Sequence, residues 1–368
     1  MARSALVLAG LLLPVLLLEG IARIALDPPP PNALPGLLDN MVADDGLLWR
    51  NLPGYAPEDD LGPINSLGFR GREVSLEKPA GTMRILSLGE SSTLGYRVRW
   101  DRTYSHLLEG ELRSRGHQVQ VLNAGVAAWT IVQSRRFLEA EIDRLDPDLV
   151  LVYHEVNDFL PTVWRPTDQP GAGLTDREMI ALNTRRVPLL RLVRSSRFLT
   201  WASLSYARMK ARQVLGSQRN GKGVDLLTDA PLPYERIRAQ ALSNRTDRFL
   251  WMDNPNELVR APDADREASL RALVRLVRET GRRVVVFHPA YWVSVPHRCL
   301  LNRVCEEEGV PVLEIERLIQ QAARDGRTRR DYFLDQFHPN DRGHAVLATG
   351  MADFLEDGGL LDERPGAD

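Results

Sequence analysis

What most constrains this chain is an alternation of short, wholly apolar runs with longer stretches whose apolar residues recur every three or four positions. Leu149 to Tyr153 is apolar at every position, which marks a strand buried on both faces rather than one. Before it, Phe137, Leu138, Ile142 and Leu145 share one helical face, closed by Asp146-Pro147-Asp148. Earlier still, Tyr104, Leu107, Leu108 and Leu112 form a face ended by Gly116, and Val119 to Leu122 follows as a short strand. Later, Leu270, Leu273, Val274 and Val277 precede a strand at Val284 to Phe287, and Val310 to Ile315 reads as a fifth. Strands separated by helices return parallel to one another. The pattern therefore predicts an α/β domain, a parallel sheet with helices on both faces.

The first strand, Arg84 to Leu88, breaks abruptly into Gly89-Glu90-Ser91-Ser92-Thr93 before a helical pattern begins. Such a junction presents Ser91 at the carboxyl edge of the sheet, near a helix N-terminus that favours developing negative charge. On this segment alone, capping of the helix by Ser and Thr is the better explanation. A serine becomes a nucleophile only with a base, a group that orients the base, and donors for the oxyanion. Asp335-Gln336-Phe337-His338-Pro339-Asn340 offers the first two on one loop, ahead of a helix with Ala345, Leu347, Met351, Phe354 and Leu355. There His338 can take the Ser91 proton while Asp335 holds the imidazole. The alternative is that Asp335 or Asn340 only caps the last helix. Asn123-Ala124-Gly125 follows the second strand and Asn157-Asp158 the third, offering a close backbone N–H and a side-chain amide. Each stretch is weak by itself; their common position past strands of one sheet is a stronger signal.

These stretches resemble the SGNH/GDSL hydrolase family, whose four signature blocks carry Ser, Gly, Asn and His. The blocks match Gly89-Glu90-Ser91-Ser92-Thr93-Leu94-Gly95, Asn123-Ala124-Gly125, Val156-Asn157-Asp158 and Asp335-Gln336-Phe337-His338-Pro339. The resemblance runs from roughly Arg84 to Leu355 apart from an insertion, and Asn65-Ser66-Leu67-Gly68-Phe69-Arg70-Gly71 looks like the lead-in of membrane-proximal bacterial members. It implies a flavodoxin-like sheet, no metal or other cofactor, and ester hydrolysis through an acyl-enzyme. Carried onto this chain, Ser91 attacks, His338 is base and then acid, and Asp335 orients His338. The N–H groups of Ser91 and Gly125 and the Asn157 amide would bind the oxyanion. Glu90 stands where Asp is usual. Glu155 stands where Gly is usual, and a carboxylate there is expected to narrow the pocket or repel an anionic substrate.

The N-terminus differs in kind. Ala5 to Leu18 carries no charge and eight leucines, and Leu6 to Leu26 reads as one apolar helix interrupted by Glu19 and Arg23 and stopped by Pro28 to Pro31. Residues 1–31 are expected to be a signal anchor, with a signal peptide cleaved after Gly20-Ile21-Ala22 as the alternative. The anchor would leave the catalytic domain outside the cytoplasm, in the periplasm of a Gram-negative cell; cleavage would make the protein secreted. Residues 32–81 read as an irregular lead-in and 82–358 as the hydrolase domain, with a mostly helical insertion at 159–263. From Met179 to Val224 the insertion has ten Arg or Lys and no Asp or Glu. A solvated face, a membrane-surface patch and a funnel for an anionic substrate all fit that run.

The formal net charge of -2 gives no global field to attract nucleic acid. Cys299 and Cys305 match no metal spacing, and on one helix their Cα atoms would lie roughly 9 Å apart, too far for a disulfide. His154, Glu155, Asp158 and His338 form no recognised metal-ligand spacing either. His154 reads as a strand-end hydrogen-bonder, His288 as pocket-lining or structural, and His344 as a surface or packing residue. The expected function is a serine esterase acting on an O-acyl ester of a glycan or lipid. The same apparatus, with an alcohol in place of water, would be an acyltransferase. A reading of another class is a membrane-anchored binding protein without catalysis.

Overall fold

The computed structural model describes residues 2–25, 40–56, 62–159, 174–202, 205, 259–291, 300–324 and 326–362, with side chains omitted at 2–12 and 186–195. Its elements in chain order are helix α1 (Ala2–Ala25), strands β1 (Met41–Asp44), β2 (Leu48–Asn51) and β3 (Met83–Gly89), and helices α2 (Ser91–Leu94) and α3 (Tyr104–Ser114). Strand β4 (Val119–Gly125), helix α4 (Ile131–Leu145), strand β5 (Leu149–Tyr153) and helices α5 (Val156–Phe159) and α6 (Asp176–Ser195) follow. Then come α7 (Asp263–Glu279), β6 (Arg283–His288), α8 (Leu300–Glu308), β7 (Val312–Glu314), α9 (Ile315–Ala322) and α10 (Asp341–Asp357).

Two compact units emerge. One comprises Met1–Leu52 with Ile180–Pro231, the other Pro53–Met179 with Leu232–Asp368. The second holds a five-stranded parallel sheet in the order β4-β3-β5-β6-β7, the doubly wound arrangement of the flavodoxin type. Successive residues of each strand point to opposite faces, so both faces need cover. Ile85, Leu151, Tyr153, Val285 and Phe287 pack with residues of α3, α9 and α10. Leu86, Leu88, Val150, Val152, Val284 and Val286 pack with residues of α4, α7 and α8. The apolar runs thus reflect burial on two sides, as their lack of alternation predicts.

Register decides what lies at the carboxyl edge. Gly89, the last residue of β3, pairs with Gly125 of β4 and Tyr153 of β5. The residues that follow these three strands therefore leave the sheet at one level, beside the strand where the order reverses.

In the other unit, β1 and β2 form an antiparallel hairpin within the stretch expected to be irregular. The Asn183 amide of α6 donates to the Asp45 carbonyl at 2.9 Å. Residues 197–202 are helical, as expected of the insertion, most of which lies outside the described residues. Among the described residues no helix is long and apolar enough to cross a membrane; the side chains of α1 are described from Leu13 on. Cys305 is buried in α8, where burial pushes its thiol up to about 12, and Cys299 lies outside the described residues.

Candidate active site

The turn from β3 into α2 is a close fit that only glycine permits. A Cβ at Gly89 would lie 2.1 Å from Thr93 Oγ1 and 2.6 Å from the Tyr153 carbonyl. The chain therefore passes directly from strand to helix, and Gly95, at φ 79°, closes the single helical turn by donating its N–H to the Ser91 carbonyl. Thr93 Oγ1 pairs with the Tyr104 hydroxyl at 2.8 Å, and the Asn123 amide donates to the Thr93 carbonyl at 2.7 Å. Ser91 is thus held from both neighbouring elements, 7% exposed at the sheet edge.

The loop between α9 and α10 brings in the histidine. Phe333 bridges to Pro339, and the Leu334 N–H donates to the His338 carbonyl at 2.8 Å, closing a tight loop. Asp335 Oδ1 accepts the N–H groups of Phe337 and His338 at 3.0 and 2.9 Å, while Oδ2 meets His338 Nδ1 at 2.7 Å. His338 Nε2 lies 2.8 Å from Ser91 Oγ. Burial raises the Asp335 pKa, but the adjacent imidazole and two backbone N–H groups outweigh it and hold the carboxyl below its ordinary value. Helix capping, the competing explanation for this loop, falls to Asn340, whose side chain accepts from the N–H groups of Arg342 and Gly343. The Tyr96 ring, 4.7 Å away between centroids, and the Phe337 ring, 4.4 Å away, flank the imidazole.

The two other expected site residues fare differently. Asn157 spends one amide hydrogen on the Trp129 carbonyl at 3.0 Å, and an amide has a second to give. The Gly125 N–H, expected among the oxyanion donors, donates instead to Asn123 Oδ1 at 3.0 Å. Gly125 serves packing: a Cβ there would lie 2.1 Å from the Leu94 nitrogen. Sequence reasoning overlooked Ala128 in the turn that follows. The Trp129 N–H donates to the Val126 carbonyl at 3.2 Å, and Ala128 stands at φ 61°, exposed while its neighbours are buried. A left-handed alanine at the third position of a turn is where glycine is normally found. No residue-type pattern marks it, since the signal is a backbone angle.

Behind the site lies a buried polar layer. Glu90 is 3% exposed, its Oε2 has no hydrogen-bond partner, and burial together with the Asp158 charge pushes its pKa up to about 8. Asp158 accepts the Ile131 N–H at 3.0 Å and sits 3.6 Å from Arg266; burial still raises it to about 6. Glu155, expected to narrow the pocket or repel an anionic substrate, is buried and accepts the Tyr291 hydroxyl at 2.7 Å. His154 Nε2 bonds Ser134 Oγ at 2.7 Å, and burial drives its pKa down to about 3. His288 pairs through Nδ1 with Glu314 at 2.7 Å, and His344 is a fully buried packing residue whose Nδ1 accepts the Tyr104 N–H. Among the described residues no three His, Cys, Asp or Glu side chains are placed to hold a metal ion.

Comparison with known proteins places this geometry. No curated protein matches the sequence. Among solved structures, the chain is similar to the psychrotrophic esterase EstA from a Pseudoalteromonas species, at 11% identity and TM-score 0.39, over 75% of this chain and 98% of that one. It is also similar to Axe2, an acetylxylan esterase from Geobacillus stearothermophilus, at 15% identity and TM-score 0.40, over 78% and 97%. A two-domain esterase active on acetylated mannans is similar at 15% identity and TM-score 0.42, over 78% and 53%. A family model, that of the GDSL-like lipase/acylhydrolase family, matches residues 87–346 and so takes in the Ser, Asn and His blocks together with the sheet that aligns them. By that match over more than half its length, the chain belongs to the GDSL-like lipase/acylhydrolase family and is an ester hydrolase.

Proposed function

We propose that this hydrolase cleaves an O-acyl ester of a glycan or lipid through an acyl-enzyme on Ser91. The observation that carries the reading is the relay of Asp335 Oδ2 to His338 Nδ1 at 2.7 Å and His338 Nε2 to Ser91 Oγ at 2.8 Å. Nucleophile, base and orienting group are in line and within hydrogen-bond reach.

Ser91 Oγ adds to the ester carbonyl as His338 Nε2 takes its proton, and Asp335 stabilises the imidazolium. The carbonyl oxygen becomes an oxyanion beside the Ser91 N–H, which opens helix α2, and the second hydrogen of the Asn157 amide. The Ala128 N–H, in the strained turn that carries the Trp129 carbonyl to Asn157, is the third donor in place of Gly125. When the intermediate collapses, the proton on His338 passes to the leaving alkoxide and the alcohol departs. Water then enters, His338 removes its proton, and attack on the acyl-enzyme frees the acid and restores Ser91.

The N-terminal helix anchors the domain at a membrane, with the catalytic unit outside the cytoplasm. Its uncharged stretch from Ala5 to Leu18 supports that placement. The test of the chemistry is a fluorophosphonate, which forms a stable covalent adduct with an activated serine. Labelling that maps to Ser91 and disappears in His338→Ala is expected. An enzyme that hydrolyses aryl acetates undiminished after Ser91→Ala would refute the mechanism. Incubation with an acyl donor and an acceptor glycan separates the hydrolase from a transferase: free acid accumulates in the first case, an acylated glycan in the second.

A further inference from the structure

The unit formed by Met1–Leu52 and Ile180–Pro231 has its own polar focus, Glu19. A carboxylate within an apolar helix is costly unless its oxygens are paired. The Glu19 side chain is 16% exposed, although Leu13, Leu16, Leu17, Ile21 and Ile24 on the same helix are exposed. Its Oε2 accepts the Ser196 hydroxyl at 2.6 Å and the Phe198 N–H at 3.0 Å. Its Oε1 accepts the Arg197 N–H at 3.2 Å and Arg23 Nε at 2.7 Å. Arg197 reaches back in turn, donating from Nη1 to the Arg23 carbonyl at 3.0 Å. Two segments some 177 residues apart in sequence are therefore joined by four hydrogen bonds centred on one turn of α1.

The sequence on either side of Ser196–Phe198 is one-sided in charge: from Met179 to Val224 it has ten basic residues and no acidic one, and the joint engages the one carboxylate of α1. What remains is a row of exposed aliphatic side chains on α1, with exposed Trp201 and the Arg197 cation at the joint. Exposed aliphatic, indole and guanidinium groups are the kinds of side chain that meet acyl chains, the interface and anionic headgroups.

We propose that α1 is retained in the mature enzyme and that Glu19 docks the segment at Ser196–Phe198 onto it, so that this segment, with Trp201, rests on an anionic lipid surface. A leader removed after Ala22 would take Glu19 with it and strip the segment at Ser196–Phe198 of its partner. The proposal rests on the reading that α1 lies in a bilayer, and its test keeps the two apart.

The full chain is recovered from membranes, weighed by mass spectrometry, washed with alkaline carbonate, and reconstituted in vesicles containing brominated phosphatidylglycerol or brominated phosphatidylcholine. An intact N-terminus, resistance to carbonate, and tryptophan quenching several-fold stronger with the anionic lipid are expected. Trp201→Phe should remove that difference, and Glu19→Ala should reduce it. A mature chain beginning at or after residue 23 would overturn the proposal and leave the esterase chemistry untouched. An intact chain released by carbonate would overturn the bilayer placement itself. Equal quenching by the two lipids, or quenching indifferent to Glu19→Ala in a carbonate-resistant chain, would overturn the docking alone.

Discussion

The two ends of the same parallel sheet are built on opposite rules. At the amino end, Arg84 is 1% exposed and donates through Nε to Gln120 at 2.8 Å, through Nη1 to the carbonyls of Leu76 and Leu145, and through Nη2 to that of Ser75. Asp148 accepts the Arg84 N–H at 2.7 Å and also meets Lys78, while Lys78 pairs with Asp146 at 2.7 Å. Burial pulls the Arg84 pKa down, and the charges of Asp146 and Asp148 work against that. At the carboxyl end, Glu90 Oε2 and His154 Nδ1 are buried without partners, and Ala128 is held at positive φ. A fold selected for stability alone would not retain these. Fully paired buried groups are what stiffen a core, whereas unpaired or strained ones cost free energy and persist where a task requires them. One end of the sheet holds it together and the other does the chemistry.

Substitutions at the two ends should therefore separate activity from stability. At the carboxyl end, Ser91→Ala removes the nucleophile and should lower kcat/KM for an aryl acetate by at least about 10⁴-fold. Thermal unfolding followed by circular dichroism should show a Tm at or above that of the parent. A large drop in Tm would mean that Ser91 is part of the framework after all. At the amino end, Arg84→Met keeps the aliphatic stem and orphans three carbonyls and the Gln120 side chain. It should cost about 3 kcal/mol of stability by urea titration. Turnover per folded molecule should be unchanged, and a loss of turnover comparable to that of Ser91→Ala would erase the distinction between the ends.

The two ends were also unequally legible in the sequence. Core and order of elements could be read because burial on both faces leaves runs such as Leu149–Tyr153 with no alternation, and helices such as Tyr104–Ser114 show their buried stripe. The Ser91, Asp335 and His338 set was readable because chemistry restricts the residue types, and the structure brings all three within hydrogen-bond distance. Hydrogen-bond bookkeeping was not readable. Whether the Gly125 N–H is free depends on the rotamer of Asn123, and Glu155 has its partner in Tyr291, 136 residues away. The Arg84 clasp was invisible for the same reason, since most of its acceptors are backbone carbonyls, which every residue possesses.

A subtler effect is expected at Glu90, where stability should depend on pH in a definite direction. Its carboxyl has an ordinary value of 4.5 and about 8 in the fold, so between those values the folded state binds a proton that the unfolded state has released. Stability contributed by this site accordingly falls as pH rises from about 4.5 to about 8. Glu90→Gln fixes the neutral form. Relative to the parent, the variant should gain Tm progressively between pH 5 and pH 8. A gain that did not vary with pH would show that Glu90 is not protonated behind the site.

Ala128→Gly should produce the smallest change and sharpens the contrast most. A left-handed conformation costs an L-residue about 1–2 kcal/mol, and glycine removes that cost. Glycine also adds freedom to the unfolded chain, which returns about 0.5–1 kcal/mol, so the net gain in stability should be a few tenths to about 1 kcal/mol. The backbone N–H is the same in both residues. If that N–H is what the turn presents to the oxyanion, kcat/KM should stay within about twofold of the parent while Tm rises. A tenfold loss of kcat with the same rise in Tm would mean that the methyl group stiffens the turn and that its strain is part of how the donor is held in place. A fall in Tm would deny that the turn is strained, and with it the claim that the carboxyl end carries costs the amino end does not.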